Sequence, residues 1–400
     1  MTIYDALIIG AGPAGATVAL ALAKAGWCVA IIEKKKFPRR KVCGEFISAT
    51  SLPLLFKLGI SDLYLSKGGP EVRRVGLFAG DSILTSQMPS MSASTYQWGR
   101  ALGREHLDSA LLAAAVEAGA TLWQPAHIEK LQREQSLFTA NIITAESVQP
   151  ISAKVVIRAH GSWERENLQQ SKGDHQPSDL LAFKAHFTES ALASDLMPLL
   201  AFPGGYGGLA HTDSGRVTLS CCIRRDKLEA IRQHNLGVPA GEVVFQHIMN
   251  NCAGVRLALS QAKREGSWLA AGPIRPGIRQ RYADGLFYVG NIAGEAHPVV
   301  AEGISMAMQS AWLLSEILIK HQKEILDNND REEAGAEYAK QWSQHFAMRI
   351  RAAAVFSWLA MNPRATAMVL PFVKLFPGLL TFGAKLSGKI QKVRLTREML

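Results

Sequence analysis

The residues with the clearest chemical meaning are Gly10, Gly12 and Gly15, spaced G-x-G-x-x-G, and Glu33 beyond them. Gly10 suits a tight turn, Gly12 a close backbone approach to a pyrophosphate, and Gly15 the close packing of a helix on a sheet. Pro13 and Ala14 complete the loop. An acid about 20 residues past such a loop holds the ribose hydroxyls of an adenosine. This spacing predicts a bound dinucleotide. Next to it, Lys34 to Lys41 (KKKFPRRK, with Arg39 and Arg40) is the densest positive cluster, either a phosphate-contacting loop or a solvated one.

A second group lies far downstream. Gly290-Asn291 leads through His297-Pro298 to Ala301-Glu302-Gly303-Ile304. A loop of small residues feeding a helix N-terminus is again a site for an anion, because the first N–H groups of the helix are unpaired.

These groups need elements to position them. The apolar run Tyr4 to Ile9 predicts a strand, Thr17 to Ala25 a helix, and Cys28 to Ile32 a second strand with Glu33 at its tip. Arg104 opens a helix that ends near Gly119, and Thr121 to Trp123 follows as a strand. Lys154 to Ala159 is a buried-type strand ending at His160-Gly161-Ser162. Gly285 to Gly290 is another strand, and Ser305 to Lys320 a helix. Strand-like runs alternate with turns between Leu180 and Leu269, with a helix over Val243 to Cys252, which predicts an inserted antiparallel sheet. From Asn328 onward the chain is helical and increasingly apolar.

Composition excludes several classes. Four hundred residues with 48% hydrophobic and 20% charged side chains describe a folded enzyme with a sizeable core, not a disordered chain. The five cysteines form no zinc pattern and no CxxC pair, so no metal site is expected. Their odd number points to a reducing cytoplasm. Cys221-Cys222 reads as core. No signal peptide is evident, since the N-terminal apolar run leads straight into the glycine loop. The net charge of +10 favours anionic partners. No basic stripe interleaved with aromatics supports nucleic acid.

Four ordered blocks, from Tyr4 to Leu318, resemble the flavin-dependent family of p-hydroxybenzoate hydroxylase-type monooxygenases and geranylgeranyl reductases. They are the glycine loop with Glu33; Arg40-Lys41-Val42-Cys43-Gly44-Glu45, similar to the reductase branch's R-K-x-C-G; Arg104 with Leu107, Asp108 and Leu111; and Gly290 through Ile304. The resemblance and the pattern of runs together predict an α/β fold: a Rossmann-like FAD-binding domain (1–178 and 270–325, with an excursion near 66–95), an inserted antiparallel-sheet substrate domain (179–269), and, from the apolar and basic runs alone, a C-terminal helical cap or membrane-surface region (326–400). It implies FAD, bound extended, held by Gly10, Gly12, Pro13, Ala14, Gly15, Glu33, Lys34, Arg40, Cys43, Arg104, Gly290, Asn291, Pro298, Glu302, Gly303 and Ile304. Three positions depart from the family: Asn291 and His160 stand where it has Asp, and Ala301 where it has Gly.

By the same resemblance, Cys43 lies near the flavin, as a proton donor, a pocket wall or a small buried side chain. Glu45 is a proton relay or a salt-bridge partner of the RRK run. His297 is a general acid–base or a structural hydrogen-bonding group. Tyr206, in Pro203-Gly204-Gly205-Tyr206-Gly207-Gly208, orients substrate or packs in a glycine-rich hairpin. The first reading is a monooxygenase acting on a hydrophobic aromatic or polyketide-like molecule. The alternatives are a reductase of isoprenoid-like double bonds, and a flavin-fold binding protein without turnover. Halogenases of the related type carry W-x-W-x-I-P, which is absent here. With no second nucleotide-binding unit in the sequence, NAD(P)H would visit transiently, or a flavin reductase or ferredoxin would supply electrons. The apolar Ala365 to Ala384 and the basic Lys385 to Arg397 read as a helical cap or a peripheral membrane contact.

Overall fold

A computed structural model describes residues 2–91, 96–134, 136–161 and 175–389. Ser162, the end of the segment 66–95 and the basic tail past 389 therefore lie outside the described residues.

The strand Ile3–Ile9 is central. It pairs in parallel with Val29–Ile32 on one side and Val148–Arg158 on the other. Thr121–Trp123 and Leu286–Tyr288 extend the parallel set at its two edges. A parallel sheet is covered on both faces, which is why its strands are continuous apolar runs. Ala6 and Ile8 face the helices, while Tyr4 and Leu7 face the opposite side. The helices Pro13–Lys24, Arg104–Glu117 and Gly303–Lys320 form the first cover. The first helix starts four residues ahead of the predicted Thr17, because Pro13 costs nothing in a first turn whose N–H groups are unpaired anyway. The other face is covered by His127–Glu134 and Leu137–Ile143, an antiparallel pair joined to Val148–Arg158. Each Leu or Ile fully buried here contributes about 1.5–3 kcal/mol.

The second sheet has seven strands among the described residues. Their order is Lys263–Ile274, Leu180–Thr188, Val217–Arg224, Gly205–His211, Leu196–Phe202, Arg74–Ala79 and Ser82–Gln87. The expected antiparallel sheet is thus mixed at one place: Leu196–Phe202 and Arg74–Ala79 run parallel. The reason is connectivity. The hairpin 74–87 reaches the sheet from an earlier part of the chain, and its direction is not set by a tight turn. Alternation of side chains splits the two cysteines: Cys221 packs with Phe183, Leu209 and Ile248, and Cys222 with Ala182, Ala201 and Tyr206 on the opposite face. Burial pushes both thiols up, Cys222 to about 12.

The C-terminal part is a long helix, Glu332–Met361, then Pro363–Leu375 and Gly378–Ala384. The side-chain oxygen of Asn362 caps the second of these, accepting from the N–H groups of Arg364 (3.1 Å) and Ala365 (3.3 Å). The last segment is tied to the second sheet by Thr381, whose hydroxyl donates to the Gln87 carbonyl at 2.6 Å.

Candidate functional site

The glycine loop is built as its spacing requires. Gly10 has φ +101°, and a Cβ there would fall 2.7 Å from the His160 backbone. A Cβ on Gly15 would fall 1.8 Å from the Gly10 carbonyl oxygen. Gly12 is different: a Cβ would meet only the tip of Arg104, at 3.9 Å. Its bare backbone therefore faces open cleft, at a helix N-terminus that no side chain caps. That is the arrangement a pyrophosphate requires. The Glu33 carboxylate accepts the N–H groups of Ala11 (2.9 Å) and Lys35 (2.8 Å), so the acid at the strand tip also holds the loop in shape.

The downstream loop packs against the first. Gly290 has φ +71°, and a Cβ on it would lie 2.9 Å from that of Ala14. The Asn291 amide donates to Glu295 at 3.0 Å, and Glu295 also pairs with Arg279 at 3.3 Å. An Asp at 291 would oppose the Glu295 carboxylate with like charge, so Asn suits this neighbour. Ala301 adopts φ +52°, ψ 38°, the left-handed conformation that favours glycine. The helix then opens at Gly303, two residues ahead of the predicted Ser305. Gly303, Ile304 and Pro298 line the cleft. The Glu302 carboxylate turns elsewhere, accepting from the Ser48 hydroxyl (3.1 Å) and the Lys389 ammonium (2.8 Å). That carboxylate anchors the C-terminal segment, and Glu302 is not among the residues that line the cleft.

Arg104 lines the cleft and is held by two 2.7 Å hydrogen bonds to Asp108, one turn on. Leu107 and Leu111 on the same helix are fully buried. The spacing R-x-x-L-D-x-x-L thus encodes an aimed guanidinium and its anchor. Burial opposes the Arg104 charge, but Asp108 and then Cys43 more than offset it and hold its pKa above the ordinary value.

Cys43 lines the cleft, and its sulfur accepts the Glu45 N–H at 3.3 Å. Glu45 has φ +63° and is fully buried. Its carboxylate is bound by the Lys184 ammonium, by His186 Nε2 (2.9 Å) and by the Thr218 hydroxyl (2.5 Å). Burial alone would raise its pKa; the His186 hydrogen bond and the Lys184 charge outweigh that and hold it far below the usual carboxylate range. This corrects the expected salt bridge. The carboxylate's ion-pair partner is Lys184 of the second sheet and not the RRK run. Arg40 pairs instead with Glu105 (3.4 Å) and Glu265 (2.8 Å), at the rim where Lys34 also stands. Sequence reasoning did not single out Lys184, His186 or Thr218. A signal was present: Lys184 and His186 alternate on one face of an otherwise apolar strand.

The Tyr206 hydroxyl lies 3.2 Å from His297 Nδ1. Tyr206 lines the cleft, whereas His297 reaches it only through that hydroxyl. Burial lowers the His297 pKa to about 4, so the imidazole is neutral near pH 7. Of the two roles expected for His297, the geometry supplies the structural hydrogen bond, to Tyr206. Burial raises the Tyr206 phenol well above its ordinary value. His160 is likewise neutral, lowered to about 4 by burial and by Arg158 and Lys41. Lys41 is lowered to about 8, first by burial and then by Arg104 and Arg39.

Gly10, Gly12, Glu33, Cys43, Arg104, Gly290 and Tyr206 line one cleft of about 1860 Å³. Its polar end runs from the glycine loop past Lys34, Arg39, Arg40 and Lys41. Its apolar end is walled by Leu77, Met197, Leu199 and Leu209 of the second sheet and by Leu370 and Leu380 of the C-terminal helices. Away from the cleft walls, Glu105, His106 and Asp213 converge within 4.8 Å, but Arg216 ion-pairs with both carboxylates.

A family described as FAD binding domain matches residues 3–337. The chain belongs to that family. It is 25% identical to digeranylgeranylglycerophospholipid reductase 1 of Methanopyrus kandleri over 364 residues, 86% of this chain and 87% of the reductase. It is 26% identical to conditioned medium factor receptor 1 of Dictyostelium discoideum over 338 residues; the match spans 80% of this chain but only 64% of that longer protein. Among solved structures, the FAD-dependent myxobacterial chondrochloren halogenase superposes with a TM-score of 0.77 at 16% identity, covering 100% of this chain and 99% of the other. That likeness establishes the fold alone. The open face over Gly12, Glu33 at the loop and the uncapped helix N-terminus all fit FAD as this chain's cofactor.

Proposed function

We propose that this FAD-binding oxidoreductase reduces carbon–carbon double bonds of a long, apolar, isoprenoid-like substrate. The observation that supports this reading most is the cleft. Its polar end suits a dinucleotide, and the apolar side chains that wall its other end suit a lipid-like chain. The relatives named as reductases of digeranylgeranylglycerophospholipids, matched over most of both chains, support the same substrate class.

FAD, when bound, supplies the hydride chemistry. The chain's residues supply the rest. Gly12 and the helix N-terminus bind phosphate, and the cationic rim of Lys34, Arg40 and Lys41 draws the anionic cofactor in. The apolar end excludes water and orients the chain of the substrate. Cys43 Sγ holds the proton that completes saturation of the bond. Arg104, in contact with Cys43, balances the charge left on sulfur after that proton has gone. Glu45, Lys184 and His186 are positioning residues that fix the loop on which Cys43 stands. Electrons come from a transient NAD(P)H or from a flavin reductase or ferredoxin.

This order differs from the sequence-based preference for hydroxylation. The change rests on Cys43 at the cleft and on the apolar walls of its far end. The test is anaerobic incubation of the chemically reduced holoprotein with a geranylgeranyl lipid. Gain of paired hydrogens in the product supports reduction. A product formed only in air and carrying one added oxygen replaces it with the monooxygenase reading.

A further inference from the structure

The C-terminal helices expose an apolar face that the core does not use. Met368, Phe372 and Leu375 are 73%, 62% and 71% exposed, and Phe376 and Phe382 are also more than half exposed. Large contiguous apolar surface of this kind marks an interaction site. The opposite sides of the same helices are committed: Val373 and Ala384 are buried, and Leu370 and Leu380 wall the cleft. The two faces meet at the cleft mouth. Val369, Leu379, Phe382 and Leu386 both line the cleft and are exposed. The cleft therefore opens within the apolar surface.

Charge identifies the occupant. Between Asn362 and Leu400 the sequence carries seven Lys and Arg and one acid, Glu398. Arg364, Lys374 and Lys385 are exposed on or beside the two helices. Among the described residues no single helix is long and apolar enough to cross a bilayer; Pro363–Leu375 and Gly378–Lys389 pass that test only together, and they are bent by 113°. A bent, apolar pair with basic flanks suits the bilayer interface, its apolar side chains in the acyl boundary and its cations among the headgroups.

We infer that this face docks on an anionic lipid bilayer and opens the cleft to the membrane interior. The support beneath it is firm: Thr381 is bonded to Gln87, and the Lys389 ammonium to Glu302 and the Val300 carbonyl (3.0 Å). The inference stands on this surface and its charge, whatever reaction the cleft performs.

The test is sedimentation of the full-length holoprotein with phosphatidylcholine vesicles, with and without phosphatidylglycerol. The expected result is at least tenfold stronger partition onto the anionic vesicles, weakening with salt. Phe372→Glu combined with Leu375→Glu should reduce partition at least tenfold with flavin content and circular dichroism unchanged. Lys374→Glu combined with Lys385→Glu should remove the preference for anionic lipid, which keeps the test decisive if the first variant misfolds. Absence of binding to either vesicle overturns the inference. So does wild-type self-association that the Phe372 and Leu375 changes abolish without altering vesicle binding, since the face would then join two copies of this chain.

Discussion

Glu45 and Lys184 form a fully buried ion pair between the loop that carries Cys43 and the strand Leu180–Thr188 of the second sheet. His186 and Thr218 complete the set of partners. One carboxylate thus joins the nucleotide-binding layer to the sheet that walls the apolar end of the cleft.

Glu45→Gln should cost about 3–5 kcal/mol at pH 7, because it leaves a buried ammonium without its counter-charge. The pH dependence has a definite sign. The folded pKa of Glu45 is depressed, so its stabilisation is complete above the ordinary value of 4.5 and is lost as pH falls toward the folded value. Denaturant unfolding of wild type and variant should show a gap that is full at pH 7 and narrows in acid below about 4. A variant as stable as wild type at pH 7 contradicts this role.

Gly12→Val should abolish FAD retention and leave the fold intact. The Cβ position is free of protein contact except for the tip of Arg104, so the substitution fills cofactor space and not core. Flavin absorbance per protein should fall to near zero while the far-ultraviolet circular dichroism is unchanged. Full flavin occupancy rules out the loop assignment.

Affinity for FAD should weaken as pH rises through about 8. Burial, Arg104 and Arg39 lower the Lys41 pKa to about 8, so this cleft-lining cation loses its charge there and not near 10.5. Titration of apoprotein with FAD at pH 7 and 9 should show the loss, and Lys41→Met should flatten it. Equal affinity of the wild type at both values removes Lys41 from cofactor binding.

Ala301→Gly should stabilise the protein by up to about 1 kcal/mol, since alanine occupies a left-handed conformation at φ +52°. Thermal unfolding of the holoprotein reads the effect directly. A lower melting temperature would mean that the added freedom of the unfolded chain outweighs the relief.

Much of this architecture is legible in the sequence. The parallel strands are buried on both faces, so Tyr4 to Ile9 and Cys28 to Ile32 stand out as unbroken apolar runs, and the glycines between them have spacing that few structures other than a nucleotide loop demand. The cover strand His127–Glu134 is not legible. Most of its residues are exposed, and charged and polar side chains dilute its alternation. The Glu45 network is hidden for a different reason. Lys184 and His186 lie 139 and 141 residues away, and only the docking of two sheets brings them to the carboxylate. Burial, also invisible in sequence, is what makes His297 a neutral hydrogen-bonding group.

The account's central claim is tested most directly by anaerobic single turnover of the reduced holoprotein with a geranylgeranyl lipid, run beside Cys43→Ala. The account predicts a product with hydrogens added across a double bond, formed without oxygen, and at least tenfold slower in the variant at unchanged flavin content. A product that appears only with oxygen, carries an added oxygen atom and forms equally fast in Cys43→Ala would contradict it.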